Sequence, residues 1–285
     1  MTDFDEQGFI VLRRLLSPMQ VSSYRQLIDE LTGEGSDLNC WEGVTREARF
    51  WPLIFEPVLL ARLRELLGPD VRYLHNSEVH KNRAGILWHR DCRDRRFGTG
   101  SDWDESCGRY RLVRVCCYLQ SYEESGFCLG VIPGSHRREV PAVSEYCYRG
   151  LRRLSRRVKW TRELFEPASP ITRRRPRISV GTGSWSLRST KPLWIKIGEG
   201  DCVIINQRLL HTTSEIVGPQ YAVYFTCGPD DHHATDHWKR SREDAFRSQS
   251  TLPAELRRQL VGAGLLPAVE ALEMKKTGEH VEAEL

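Results

Sequence analysis

The chain has 285 residues, of which 40% are hydrophobic and 28% charged, and a net charge of +4, as in a globular protein with a sizeable core. It contains no run of about 18 apolar residues, which argues against a membrane span, and its acidic start lacks an apolar signal core, which argues against secretion. The 9 cysteines are an odd number without regular spacing, so we expect reduced thiols in a cytoplasmic protein rather than disulfides or a zinc finger.

In the first third of the chain, strand patterns enclose two predicted helices. Residues 8–12 form a short apolar strand, and Ser17 then caps a helix that begins at Pro18. A second helix over Pro57–Leu67 ends at Gly68. Two further strands are predicted over residues 71–79 and 86–91, separated by a turn at residues 82–85.

Later strands are predicted over residues 110–119, 129–133, 193–197, 201–206 and 221–227, after a loop at residues 98–108. Helices on either side of so many strands favour a mainly β barrel or sandwich with flanking helices, built as a single domain over residues 1–285. Residues 250–285 form a helical tail with an apolar stripe of leucines.

A basic insertion interrupts the β pattern at residues 137–192. Ten basic residues lie between Leu151 and Arg177, against two acidic ones, and such a field attracts anions. Long insertions of this kind often serve as lids or interaction surfaces. A solvated loop or helix face is the alternative interpretation.

The sequence Trp88-His89-Arg90-Asp91 carries the strongest chemical signal. On a strand, residues two apart share a face, so His89 and Asp91 project together. His211, at the end of another predicted strand, is the best third ligand for a 2-His-1-carboxylate triad that binds Fe(II) and leaves positions open. A rival metal cluster at residues 231–237 includes His233 and His237, but its loop-like sequence favours a surface or rim role.

Four stretches of the chain resemble the phytanoyl-CoA dioxygenase family of Fe(II)- and 2-oxoglutarate-dependent oxygenases. They are residues 4–12 with the helix start that follows, residues 88–91, residues 125–136, and residues 200–211. The run Leu129-Gly130-Val131-Ile132-Pro133-Gly134-Ser135-His136 is the most specific part. The resemblance implies a double-stranded β-helix (a jelly-roll, cupin-like core). It also implies iron bound by His89, Asp91 and His211, and 2-oxoglutarate and molecular oxygen as co-substrates.

The resemblance is less complete at the co-substrate. Thr213, two residues past the distal histidine, fits a family position that helps to hold 2-oxoglutarate. The family's arginine about ten residues past that histidine, which pairs with the far carboxylate, is absent, because residues 219–223 read Pro-Gln-Tyr-Ala-Val. Either another cation takes its place, or 2-oxoglutarate is bound weakly or replaced. Arg114 is the best candidate for that cation, since a charge in a buried strand demands a partner, although a structural salt bridge or a strand-edge charge is equally open. Asn76 and His80 match positions that face the co-substrate, with simple packing as the alternative.

These features predict a dioxygenase that hydroxylates, or otherwise oxidises, an unactivated C–H bond of a small metabolite in a biosynthetic pathway. The basic insertion favours an anionic metabolite. The carboxylate of Asp91 favours these outcomes over halogenation, because related halogenases lack it. The alternative is a catalytically degenerate jelly-roll module that holds an anionic partner with its basic insertion. Nucleic-acid binding is disfavoured, because the basic run lacks a recognised module or patterned stacking aromatics. The sequence makes no prediction of the oligomeric state.

Overall fold

The computed structural model describes residues 3–32, 37–84, 88–140, 192–243 and 252–271. Most of the predicted basic insertion and the end of the predicted tail lie outside these residues. The helices are α1 Asp3–Gln7, α2 Pro18–Thr32, α3 Gly43–Arg46, α4 Trp51–Ile54, α5 Pro57–Leu67, α6 Tyr122–Ser125, α7 His232–Glu243 and α8 Ala254–Gly262. The strands are β1 Phe9–Leu12, β2 Leu38–Trp41, β3 Val71–Tyr73, β4 Glu78–Lys81, β5 Val113–Tyr118, β6 Cys128–Val131, β7 Leu193–Lys196, β8 Cys202–Asn206, β9 His211–Thr213 and β10 Tyr221–Pro229.

The strands form two antiparallel sheets. In the larger one the order is β1-β8-β5-β10-β4-β2, with β3 also paired to β10, and in the smaller one it is β7-β6-β9. Apolar side chains of both sheets share one buried cluster, so the sheets pack face to face. The prediction of a mainly β fold with flanking helices is confirmed, and within the described residues the sheets do not close into a barrel.

Alternation along β5 separates the two layers of the core. Val113, Val115 and Cys117 belong to the cluster shared with the helices, whereas Cys116 and Tyr118 belong to the cluster between the sheets. Arg114 has the same parity as Cys116. A charged side chain is therefore directed into the space between the sheets.

Helices cover the outer face of the larger sheet. The apolar faces of α2, α5 and α8 pack in one cluster, including Ile28, Leu63, Leu256 and Leu260, each fully buried or nearly so. Burial of each such side chain contributes about 1.5–3 kcal/mol. Part of the predicted helical tail therefore belongs to the core. None of the helices described is both long enough and apolar enough to cross a membrane.

The structure differs from the sequence predictions in three places. The strand predicted over residues 71–79 is broken by His75 and Asn76, which both adopt positive φ angles. Around the metal motif, the described residues show an isolated bridge between His89 and His211 rather than a continuous strand. The segment predicted as a loop at residues 231–237 forms the start of α7, because the Asp231 carboxylate accepts a hydrogen bond from the Ala234 amide at 2.9 Å and caps the helix.

Gly200 offers a test of the turn that precedes β8. It has a φ of +75°, and a Cβ atom there would lie 2.4 Å from the Leu16 carbonyl oxygen. Gly200→Ala should destabilise the fold by about 2–6 kcal/mol, from backbone strain plus overpacking. Gly98 is the matched control, because its φ is +69° but nothing lies within 4 Å of its Cβ position. Denaturant unfolding should show a much smaller loss for Gly98→Ala, and equal losses would contradict the clash.

Candidate metal centre

The backbone brings the two parts of the metal motif together. The amide of His89 donates to the His211 carbonyl at 2.9 Å, and the His211 amide donates to the His89 carbonyl at 3.0 Å. The amides of Asp91 and Cys92 both donate to the Gln207 carbonyl, at 2.9 and 3.0 Å. Asp91 is thereby fixed beside the turn that leads from β8 into β9.

The three predicted ligands converge on one point. His89, Asp91 and His211 each offer a ligand atom, and these atoms lie within 4.8 Å of one another. The Asp91 carboxylate lies 3.4 Å from His89 Nε2 and 3.7 Å from His211 Nε2, and the imidazole centroids are 4.2 Å apart. Two imidazoles and a carboxylate on one side are the donor set of a non-haem Fe(II) facial triad.

Protonation of the ligands suits a metal. His211 Nδ1 lies 2.9 Å from the Leu209 carbonyl, which can only accept, so Nδ1 carries the proton and Nε2 keeps its lone pair. Burial, followed by the neighbouring His89, lowers the pKa of His211 to about 4. Burial acts to raise the pKa of Asp91, but the two histidines and Arg114 outweigh it and hold the pKa well below its usual range.

Two supporting residues were not predicted from sequence. Gln207 is fully buried, and its side chain accepts from the Tyr110 hydroxyl at 2.9 Å and donates to Thr226 Oγ1 at 3.1 Å. Ser135, in the Pro-Gly-Ser-His turn, accepts from the Leu210 amide at 2.8 Å. The role of Gln207 could have been noticed in the sequence, because it is a polar residue between an apolar strand and the candidate ligand His211.

Two of the four predicted co-substrate residues, Arg114 and His80, contact Glu78, the third residue that sequence reasoning missed. Arg114 donates to Glu78 Oε1 at 2.6 Å and to the Asn76 carbonyl, and its Nε lies 4.0 Å from Asp91 Oδ2. Glu78 Oε2 lies 2.8 Å from His80 Nε2. Burial tends to raise the pKa of Glu78, but Arg114 and His80 bring it below its usual value. A buried arginine in a strand demands an acid, which could have pointed to Glu78.

Within the part of the chain that the structure describes, two buried atoms of this network have no hydrogen-bond partner, namely Asn76 Oδ1 and His80 Nδ1. Such orphaned atoms beside a metal triad suit a polar ligand. Ala222 lies in the segment 219–223, where the resemblance implies an arginine, and its register partners are His80 and Tyr118. Thr213 lies two residues past His211 on β9 and so has the same side-chain parity.

The other histidines serve different contacts. His136 Nε2 lies 3.1 Å from the Asp5 carbonyl, so it anchors the N-terminal segment, and burial lowers its pKa to about 4. The predicted surface role requires His233 to be exposed, but its side chain is buried. Its Nε2 lies 3.1 Å from the Gly108 carbonyl, and its ring meets Tyr110 edge-on. The surface role predicted for His233 is therefore wrong, whereas the rim role stays a prediction.

Comparison with known proteins places the chain among relatives of known class. The sequence profile of phytanoyl-CoA dioxygenase (PhyH) matches residues 4–222. The chain belongs to the PhyH family. A PhyH relative, an ectoine dioxygenase of Nocardia farcinica (strain IFM 10152), is 29% identical over 163 residues, which are 50% of this chain and 52% of that protein. The chain thus spans about half the length of the curated relatives it matches.

Solved structures with a similar fold support the architecture expected of PhyH proteins. HygX from Streptomyces hygroscopicus, with nickel and 2-oxoglutarate bound, has a TM-score of 0.54 at 18% identity, over 79% of this chain and 84% of that chain. The 2-oxoglutarate-dependent epimerase SnoN from nogalamycin biosynthesis has a TM-score of 0.52 at 13% identity, over 80% and 81%. With these neighbours, the prediction of a jelly-roll, cupin-like core is confirmed.

Proposed function

We propose that the chain is a non-haem Fe(II)- and 2-oxoglutarate-dependent dioxygenase, and that residues 1–285 form one oxygenase domain. The observation that carries this is the convergence of His89, Asp91 and His211 within 4.8 Å in a member of the PhyH family. The donor set fits Fe(II), since the His211 tautomer leaves Nε2 free to ligate.

In this proposal Thr213, Arg114, Asn76 and His80 hold 2-oxoglutarate. The support is their position, because Arg114 and His80 both contact Glu78 and the Asn76 carbonyl accepts from Arg114. Arg114 in turn lies 4.0 Å from the Asp91 carboxylate. Arg114 supplies charge-assisted hydrogen bonds for a carboxylate. Asn76 and His80 contribute polar atoms that have no hydrogen-bond partner among the described residues.

The bound iron and 2-oxoglutarate would together activate oxygen for attack on an unactivated C–H bond of a small molecule. The protein's own share is to orient Asp91 through the Gln207 carbonyl and to surround the site with the apolar walls of two sheets. The substrate class we favour is a small metabolite, with anionic compounds included because of the basic insertion. Ectoine is the first compound to test because two curated relatives are ectoine dioxygenases. A cytoplasmic setting is supported by eight free thiols in the described residues.

The function is tested by loading the protein anaerobically with Fe(II), adding 2-oxoglutarate, and measuring succinate after oxygen is admitted. We expect slow succinate formation without substrate and a rise of at least about tenfold with the correct metabolite. Ectoine and a set of anionic metabolites form the first panel, and mass spectrometry would detect a gain of one oxygen atom.

A second candidate function is the catalytically degenerate binding module. The observation that favours it is the lack of an arginine in residues 219–223, together with the engagement of Arg114 by Glu78. Iron binding without any succinate, with or without the panel, would favour this module over the oxygenase.

A further inference from the structure

Glu78 and Arg114 form a buried ion pair at the edge of the proposed co-substrate site. The guanidinium side chain is 6% exposed and the carboxylate 14%, and their atoms are 2.6 Å apart. Each nitrogen of Arg114 already faces an oxygen of the protein. Nη2 donates to Glu78, Nη1 donates to the Asn76 carbonyl and lies 3.4 Å from Thr226 Oγ1, and Nε lies 4.0 Å from Asp91 Oδ2.

The pair has a consequence for any second carboxylate that approaches Arg114. An incoming carboxylate must share the guanidinium with Glu78, and two carboxylates around one cation repel each other. Glu78 is also held from its far side by His80 at 2.8 Å, so it does not swing away freely. The positive charge of Arg114 is therefore already largely compensated within the protein.

We propose that Glu78 sets the affinity of the site for 2-oxoglutarate by acting as an internal counter-ion that the far carboxylate of the co-substrate must compete with. This inference rests on the proposed function, and it adds a residue that limits binding rather than one that supplies it. The proposal predicts that removing the negative charge of Glu78 tightens 2-oxoglutarate binding. If Glu78 only positioned Arg114, the same change would weaken that binding.

The test is calorimetric titration of Ni(II)-loaded wild-type and Glu78→Gln protein. Two ligands are compared: 2-oxoglutarate, and 2-oxobutanoate, which has the same keto acid end but no second carboxylate. We expect Glu78→Gln to bind 2-oxoglutarate about tenfold more tightly, the lower end of the effect of one charge-assisted hydrogen bond, and to bind 2-oxobutanoate as the wild type does. Equal or weaker binding of 2-oxoglutarate by the variant would overturn the proposal, as would equal tightening of both ligands.

Glu105→Gln is the matched control. Glu105 also pairs with a buried arginine, Arg208, at 2.6 Å, but that pair has no place in the proposed site. The control should leave both dissociation constants unchanged. If it tightens 2-oxoglutarate binding as Glu78→Gln does, the gain comes from overall charge and the proposal fails.

Loss of one partner of a buried pair can destabilise the fold, so a second variant keeps the test decisive. The double change Glu78→Gln with Arg114→Met removes both charges. If Glu78 already compensates Arg114, the double variant loses less than about tenfold in 2-oxoglutarate affinity, and a greater loss refutes the idea. If wild-type Ni(II) protein binds neither keto acid, the proposed function itself falls and the inference with it. If the wild type binds 2-oxoglutarate but Glu78→Gln gives no gain, the inference alone falls.

Discussion

Alanine in place of His89, Asp91 or His211 should each reduce iron-dependent succinate formation to below about one hundredth of the wild-type rate, because loss of a group that merely supports a ligand already costs about 10–100-fold. All three donor atoms lie within 4.8 Å of one another. Alanine at any of the three positions removes one ligand and leaves the triad incomplete. The measurement pairs succinate formation with the iron content of each variant after gel filtration.

The control for the triad is His233→Ala, which removes another buried histidine. Its ring contacts Tyr110 and its Nε2 faces the Gly108 carbonyl, so the change should lower the melting temperature but leave the iron content unchanged. Circular dichroism would verify that the triad variants keep their β structure. Full turnover in two of the three triad variants would show that these residues do not bind the metal.

Arg114→Leu should raise the 2-oxoglutarate concentration needed for half-maximal turnover by about tenfold to a hundredfold, because a charge-assisted hydrogen bond contributes about 1.5–3 kcal/mol. The variant also leaves Glu78 without its partner at 2.6 Å, and that carboxylate would then repel the co-substrate. Iron affinity should change little, since Arg114 Nε lies 4.0 Å from Asp91 and does not ligate.

The matched change is Arg114→Lys, which keeps the charge but loses the planar fork. It should raise the 2-oxoglutarate requirement less than leucine does. The 2-oxoglutarate requirement and the iron dissociation constant are measured on the same preparations, which separates an effect on co-substrate binding from an effect on iron binding. An unchanged requirement in Arg114→Leu would make Arg114 a structural salt bridge, the alternative that its sequence context left open.

The sequence by itself carried the local signals that depend on short-range periodicity and chemistry. The alternation of apolar residues predicted most of the strands, and the Ser17-Pro18 start predicted α2. The spacing of His89 and Asp91, with a distal His211, nominated a metal site whose donors the structure brings within 4.8 Å. Asp231 was also a readable cap, although the α7 that follows it was interpreted as a loop.

Only the tertiary structure decided which charges meet between the sheets. Sequence predicted that Arg114 needs a partner, but the partner is set by the register of β4, β10 and β5, which brings Glu78 to it from 36 residues away. The strand also breaks at His75 and Asn76, which both adopt positive φ, and the Asn76 carbonyl there accepts a hydrogen bond from Arg114, 38 residues away. Strand pairing is non-local, so residues that are distant in sequence become neighbours only when the sheet forms.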